Sequence, residues 1–149
     1  MSGIRLEIII LTTDNLKSFL EKTRQALFDS DFDALAQNCV MPLVVYSPAG
    51  VLVIKDRDHF LAVSSAYRAA LADHPITQGK CDIIRLDPMR NRRTRVTAHW
   101  TEMDANSTPL VSSKIRYFLL MPRPELWMIE MLEYLEMPIP LETAERIIH

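Results

Sequence analysis

Two cysteines, Cys39 and Cys81, are all that this 149-residue chain contains. They form no CxxC pair and no cluster with histidine, which argues against a disulfide scaffold and against a zinc site. Both read as small buried hydrophobes in a reducing compartment. Excess charge is equally scarce. Seventeen Lys and Arg against nineteen Asp and Glu leave a net charge of −2, so nothing draws the whole molecule toward nucleic acid or an anionic membrane. No apolar run is long enough to span a bilayer. The apolar start, Ile8 to Leu11, is too short for a secretory core, has Arg5 and Glu7 before it, and is followed by no small-residue cleavage site. The expectation is a cytoplasmic protein without a membrane or nucleic-acid partner. Internal repeats, linkers and low-complexity tracts are also missing, and no motif fixes a reaction.

What is present is one domain's worth of chain, residues 1–149, organised around Val111 to Tyr134 (VSSKIRYFLLMPRPELWMIEMLEY). This stretch reads as two long strands folded on a Pro-rich turn, since Pro122 and Pro124 cannot donate to a ladder. Alternation puts Ser113, Ile115, Tyr117, Leu119 and Met121 on one face of the first arm, and Lys114, Arg116, Phe118 and Leu120 on the other. The second arm has Trp127, Ile129, Met131 and Glu133 on one face, with Met128, Glu130, Leu132 and Tyr134 opposite. Both faces are largely apolar, so one is expected to meet helices and the other a partner chain.

The remaining elements come in order along the chain. Ile4 to Leu11 is β-rich and is expected, within residues 1–11, as an N-terminal strand or arm. Thr12, Thr13 and Asp14 are good caps for a helix to about Asp29, with Leu16, Phe19, Leu20, Thr23 and Leu27 as its core face. Asp31 caps a short helix, Phe32 to Cys39. Met41 to Tyr46 is a strand that Pro42 places at an edge or a strand start. A turn at Ser47 to Gly50 joins it to Val51 to Ile54 as a hairpin. Asp56 caps a helix to about Asp73, which His74-Pro75 stops. Two long strands, Thr77 to Leu86 and Arg92 to Asp104, precede the central hairpin. A tail from residue 138 to 149 ends in a short helix from about Leu141. Helices gathered early and strands late indicate an α+β domain with an antiparallel sheet packed on one side by helices.

At that point the chain resembles the nuclear transport factor 2-like superfamily, which includes SnoaL-like cyclases and ketosteroid isomerase. The resemblance covers about Leu16 to Tyr134. It is carried by the acidic junction DSDFDAL (Asp29 to Leu35), the hairpin VVYSPAGVLVI (Val44 to Ile54), the capped helix KDRDHFLAVSSAY (Lys55 to Tyr67) and the terminal strand LWMIEMLEYLEMP (Leu126 to Pro138). The resemblance implies a cystatin-like cone, with a curved sheet wrapped around three N-terminal helices, a deep apolar pocket and frequent homodimers. It does not carry over the isomerase's catalytic residues. Ser47 stands where that enzyme has an Asp before its Pro-x-Gly turn, and Thr23 falls where its oxyanion-binding Tyr is expected. Both departures argue against that mechanism.

In the strand Arg92 to Asp104, the apolar set Thr94, Val96, Ala98, Trp100 and Glu102 is assigned inward. Glu102 is then a single acid among apolar positions, and with Tyr117 it is the nearest candidate for proton transfer. His99 falls outside. Asp58 and His59 are neighbours on a helix and do not face each other, so Asp58 is assigned to the helix dipole. Arg90, Arg92, Arg93 and Arg95 make a solvated hairpin end, with no stacking aromatics beside them to suit nucleic acid. Tyr46, Phe60, Tyr67, Trp100, Glu102, Tyr117, Trp127 and Met131 are the expected pocket residues, walls suited to a small apolar ligand. Phe118, Leu120, Met128, Leu132 and Tyr134 are the expected dimer interface, with Arg116 and Glu130 pairing across a two-fold axis. Neither a cofactor nor a metal is called for. The function expected is binding of a small molecule in an apolar pocket. The alternatives are a lyase, isomerase or cyclase-type enzyme using one pocket acid or base, and a non-catalytic dimeric interaction module.

Overall fold

A computed structural model describes the backbone from Ser2 to His149 and the side chains from Thr13 onward. The first helix, α1, runs Ser2–Phe28 and so takes in the stretch expected as a strand or arm. Caps such as Thr12 to Asp14 permit a helix to start but do not oblige it to, and no Pro or Gly separates Ile4–Leu11 from the rest of the helix. Helix α2 is Phe32–Gln37, capped by Asp31, whose carboxylate accepts from the Ala34 amide at 3.3 Å. Strands β1 (Cys39–Ser47) and β2 (Gly50–Ile54) form the expected hairpin, and α3 (Arg57–Ala70) starts at Asp56, which accepts from the His59 amide at 2.9 Å. Strands β3 (Gln78–Leu86), β4 (Arg93–Met103), β5 (Pro109–Arg123) and β6 (Leu126–Glu136) come next, and α4 (Leu141–Ile148) closes the chain.

All six strands share one sheet in the order β2-β1-β6-β5-β4-β3. The long strands are antiparallel as expected, but β1 joins β6 in parallel, so the sheet is mixed. That makes β1 an inner strand, so of the two places expected for Pro42, an edge or a strand start, the edge is excluded; the proline falls within the register shift between Cys39 and Val44, just before the continuous ladder, where its missing amide interrupts no pairing. β2 and β3 are the edges. The helices lie on one face: α1 packs against β3, α2 bridges α1 and α3, and α4 contacts α3 and β2.

The period-two assignment of β4 is correct. Thr94, Val96, Ala98, Trp100 and Glu102 are all buried, as are Ser113, Ile115, Tyr117 and Leu119 on β5. In β6 the expected alternation fails part-way. Phe118 pairs with Met131, but the next residue, Leu119, pairs with Ile129. Glu130 is the extra residue of a bulge, and a bulge inverts the facing of everything after it. Trp127 and Ile129 point to the core, and beyond the bulge Leu132 and Tyr134 do so too, while Met131 and Glu133 turn outward. The expected interface therefore loses Leu132 and Tyr134, and Glu130 and Glu133 share the outer face. The expected pairing of Arg116 with Glu130 across an axis is replaced by two bridges within the chain, Arg116 to Glu133 at 2.8 Å and Arg93 to Glu130 at 2.9 Å.

Candidate functional site

Between the helices and the inner sheet face lies a partly open cavity of about 130 Å³. Its walls are almost all aliphatic or aromatic. α1 gives Leu27, β1 and β2 give Leu43 and Leu52, and the central strands give Ile115 and Ile129. α3 adds Phe60 and Tyr67, and α4 with the chain before it adds Ile139, Ala144 and Ile148. α4 reaches the site because Ala144 is small enough to seat the helix there, only 1% exposed. Cys39 also lines the cavity. Burial pushes its thiol, like that of Cys81, up from about 9 to about 12, so both are neutral and weakly nucleophilic at neutral pH.

Among the described residues, one charged side chain enters this apolar chamber. Arg24 comes off α1 in the same stripe as Leu16 and Leu20, and is 6% exposed. Its Nε and Nη2 both donate to Oε1 of Glu102, at 2.9 and 2.5 Å, and Nη2 also reaches the Tyr67 hydroxyl at 3.4 Å. Its planar guanidinium stacks near three rings, 5.6 Å from the centroid of Phe28, 5.8 Å from Tyr67 and 5.6 Å from Trp100. Burial works against the cation, but Tyr67 and Glu102 outweigh it and hold Arg24 well above its already high range. Arg24 is therefore permanently charged.

Glu102 is fully buried and lies behind Arg24, outside the cavity wall. Its Oε1 takes both guanidinium bonds, and its Oε2 has no hydrogen-bond partner among the described residues. That oxygen rests over Gly79, the residue paired with Glu102 across β3 and β4. A Cβ on Gly79 would stand 2.6 Å from Oε2 and 3.3 Å from the Phe28 ring. The oxygen cannot move aside freely, because its carboxylate is held by Arg24. Gly79→Ala is therefore expected to destabilise the fold by about 1–3 kcal/mol, the usual cost of overpacking. Urea unfolding midpoints measure it. In a Glu102→Ala background most of that penalty should vanish, and a penalty of equal size there would mean that Oε2 is not the obstacle.

Tyr117 supplies the second polar feature of the wall. Its hydroxyl accepts from the Trp100 indole nitrogen at 2.9 Å. Burial raises the Tyr117 phenol far above its ordinary value despite the opposing pull of Arg24, so it is a neutral donor and not a base. Tyr67 is likewise raised, by burial first and by Tyr134 next.

The expected site residues thus divide. Phe60, Tyr67 and Tyr117 line the cavity. Trp100 and Glu102 lie one layer behind, where they hold Tyr117 and Arg24. Trp127 is buried in the same core but is not part of the wall. Tyr46 is 42% exposed on the outer face, and Met131 faces an outer groove beside Phe118, both against expectation. Arg24 and Tyr134 belong to the wall although the sequence pattern did not point to either. Thr23 lines the cavity, but its hydroxyl donates to the Phe19 carbonyl at 2.7 Å and accepts from Asn38 at 3.0 Å. Ser47 is held in its own turn, donating to the Gly50 carbonyl at 3.2 Å. Neither replaces a general base. Among the described residues there is no group of three or more His, Cys, Asp or Glu side chains placed to hold a metal ion, and no helix is long and apolar enough to cross a membrane.

No family model and no curated protein matches the chain. Solved structures do. An NTF2-like protein with a cystatin-like fold from Novosphingobium aromaticivorans is 13% identical, with 100% of this chain and 97% of that one covered at a TM-score of 0.59. The chain has the nuclear transport factor 2-like fold. Aln2 from a Streptomyces species superposes at a TM-score of 0.63 with 12% identity, covering 84% of this chain and 90% of its own. An NTF-2 like protein of unknown function from Shewanella oneidensis is 19% identical at a TM-score of 0.57, covering 83% and 98%. Identities this low establish the architecture and leave the activity to be argued from the site.

Proposed function

We propose that the protein binds a small apolar molecule in the internal cavity. The observation that supports this reading is a partly open apolar pocket between the helices and the sheet, with a built polar spot, in place of a filled core. Its size matters: an apolar cavity of about 150 Å³ accepts a benzene-sized molecule, so the chamber suits a single ring or a short branched chain. Catalysis by a pocket acid or base is the weaker reading, because Glu102 is tied to Arg24 outside the wall, Ser47 is not basic and Tyr117 holds its proton. The test is titration with methylenecyclohexane followed by methyl NMR. Shifts concentrated on Leu52, Ile115 and Ile129, and abolished by the filling substitution Ala144→Phe, are the expected result. An unresponsive core, or shifts spread over the surface, would reject it.

The same proposal includes a homodimer through the outer sheet face, with a corrected set of residues. Phe118, Leu120 and Met128 remain, and Met131, Val44, Tyr46, Val51 and Val53 join them across β5, β6, β1 and β2. Register places Met131 beside Val44, and Val44 beside Val53. Val51 and Val53 are 53% and 47% exposed. The face's neighbouring charges are already matched within the chain, Arg93 by Glu130 and Arg116 by Glu133, so a second copy meets apolar surface without unpaired ions. Val53→Asp is expected to shift the wild-type dimer to monomer in light scattering at micromolar concentration, with unfolding unchanged. Leu132→Asp is the contrasting variant: it strikes the cavity, and should cost stability and not assembly. A wild-type monomer would dismiss the dimer.

A further inference from the structure

The binding reading above takes the cavity as apolar, and its polar spot has a direction. Arg24 commits Nε and Nη2 to Glu102 and Tyr67, while its Nη1 makes no hydrogen bond among the described residues. Tyr117 accepts from Trp100, which leaves its own proton free to donate. Both residues are in the cavity wall. Thr23 and Ser47 spend their hydroxyls locally, Tyr67 accepts from Arg24 and packs against Tyr134 with ring centroids 6.0 Å apart, and Ser64 on α3 can serve either role. Arg24 and Tyr117, both against Trp100, thus offer neighbouring donors from a mostly apolar wall. A ligand that supplies an oxygen gives these donors an acceptor in surroundings of low polarity, where a hydrogen bond is worth more than in water.

Charge selects the kind of oxygen. Glu102 already neutralises the guanidinium at 2.5 Å. A carboxylate on the ligand would bring a second anion into the same apolar surroundings, with no further cation in the wall among the described residues, and an unmatched buried charge is expensive. A neutral oxygen takes the same hydrogen bonds without that cost. Resting on the binding reading, we infer that Arg24 Nη1 and the Tyr117 hydroxyl form a recognition point for the carbonyl oxygen of a small neutral apolar ketone, aldehyde or ester. Glu102 and Trp100 are its positioning residues: one turns the guanidinium, the other turns the phenol.

The matched probes are cyclohexanone and methylenecyclohexane, which have the same shape and differ by oxygen against methylene, together with cyclohexanecarboxylate as the anion. Calorimetry or NMR titration of the full chain should show cyclohexanone binding at least tenfold more tightly than methylenecyclohexane. Its carbonyl infrared band should move to lower frequency when bound. Tyr117→Phe keeps the ring, and should weaken cyclohexanone about tenfold while leaving methylenecyclohexane unchanged. Arg24→Met combined with Glu102→Leu removes the charge pair together, so no ion is stranded, and should erase the remaining preference and the infrared shift. Equal affinity for the two neutral probes, insensitive to both variants, would overturn the recognition point while keeping the cavity reading. Tighter binding of the carboxylate would overturn the neutral class. Failure of all three probes to bind would refute the cavity reading itself.

Discussion

Replacing Glu102 by alanine is expected to cost about 3–5 kcal/mol of folding stability, which for a chain of this size lowers the melting temperature by roughly 10 °C. The reason is the partner left behind. Arg24 stays cationic, it is 6% exposed, and both of its strongest bonds end on one oxygen of Glu102. Without that carboxylate the guanidinium keeps a 3.4 Å contact to Tyr67 and three ring faces, which do not balance a full charge. Glu102→Gln preserves shape and one acceptor, and should fall between wild type and alanine. The informative comparison is Arg24→Met with Glu102→Leu. Removing both charges together removes both desolvation penalties, so the double variant should lie near wild type. Chemical unfolding of the four proteins gives the coupling energy. A Glu102→Ala variant within 1 kcal/mol of wild type would show that water reaches Arg24 in the folded state. The chamber would then be far wetter than its walls indicate.

The contrast between Arg24 and Glu102 also shows how much of the site is legible in the sequence. Glu102 is visible because β4 alternates without interruption from Thr94 to Glu102, so every second side chain has one facing. The first arm of the central hairpin is legible for the same reason. β6 is not, because the single extra residue at Glu130 leaves no local mark: the sequence around it alternates well in either phase. Alternation alone consequently puts Tyr134 and Leu132 outside and Met131 inside. Arg24 escapes notice because a cation in a helical stripe is ordinarily a residue that curls to the surface, and its neutralising partner lies 78 positions away. The parallel pairing of β1 with β6 has a similar origin, since pairing between strands so far apart in sequence is decided by packing of the whole sheet. Caps, turns and hairpins are local questions, and Asp31, Asp56 and the Ser47–Gly50 turn answer them correctly.

Raising the pH from 8 to 11 is expected to bring the fold close to unfolding, and the sign follows from which groups burial affects. Cys39 and Cys81 are pushed up from about 9 to about 12. A group whose folded value is raised contributes stability that is fully present below its unfolded value and is lost as the pH rises toward the folded one. The window for the thiols is therefore about 9 to about 12. At pH 11 each thiol has crossed about two units at roughly 1.4 kcal/mol per unit, so the pair withdraws roughly 5 kcal/mol. Tyr67 and Tyr117 are raised by burial as well and add loss of the same sign above about 10. Against a typical total of about 5–15 kcal/mol, this is a large fraction. Urea midpoints at pH 8, 9.5 and 11 should fall steeply for wild type, and less steeply for Cys39→Ala with Cys81→Ala. Phenolate absorbance from Tyr67 and Tyr117 should rise together with loss of structure, because burial holds both phenols in the neutral form. Phenolate signal that is lost on Tyr67→Phe and Tyr117→Phe, yet appears while the wild-type chain is still folded, would mean that solvent reaches the cavity in the native state. An oxygen-recognising chamber would then have to compete with water for Arg24 and Tyr117, and the tenfold preference for a carbonyl should shrink in proportion.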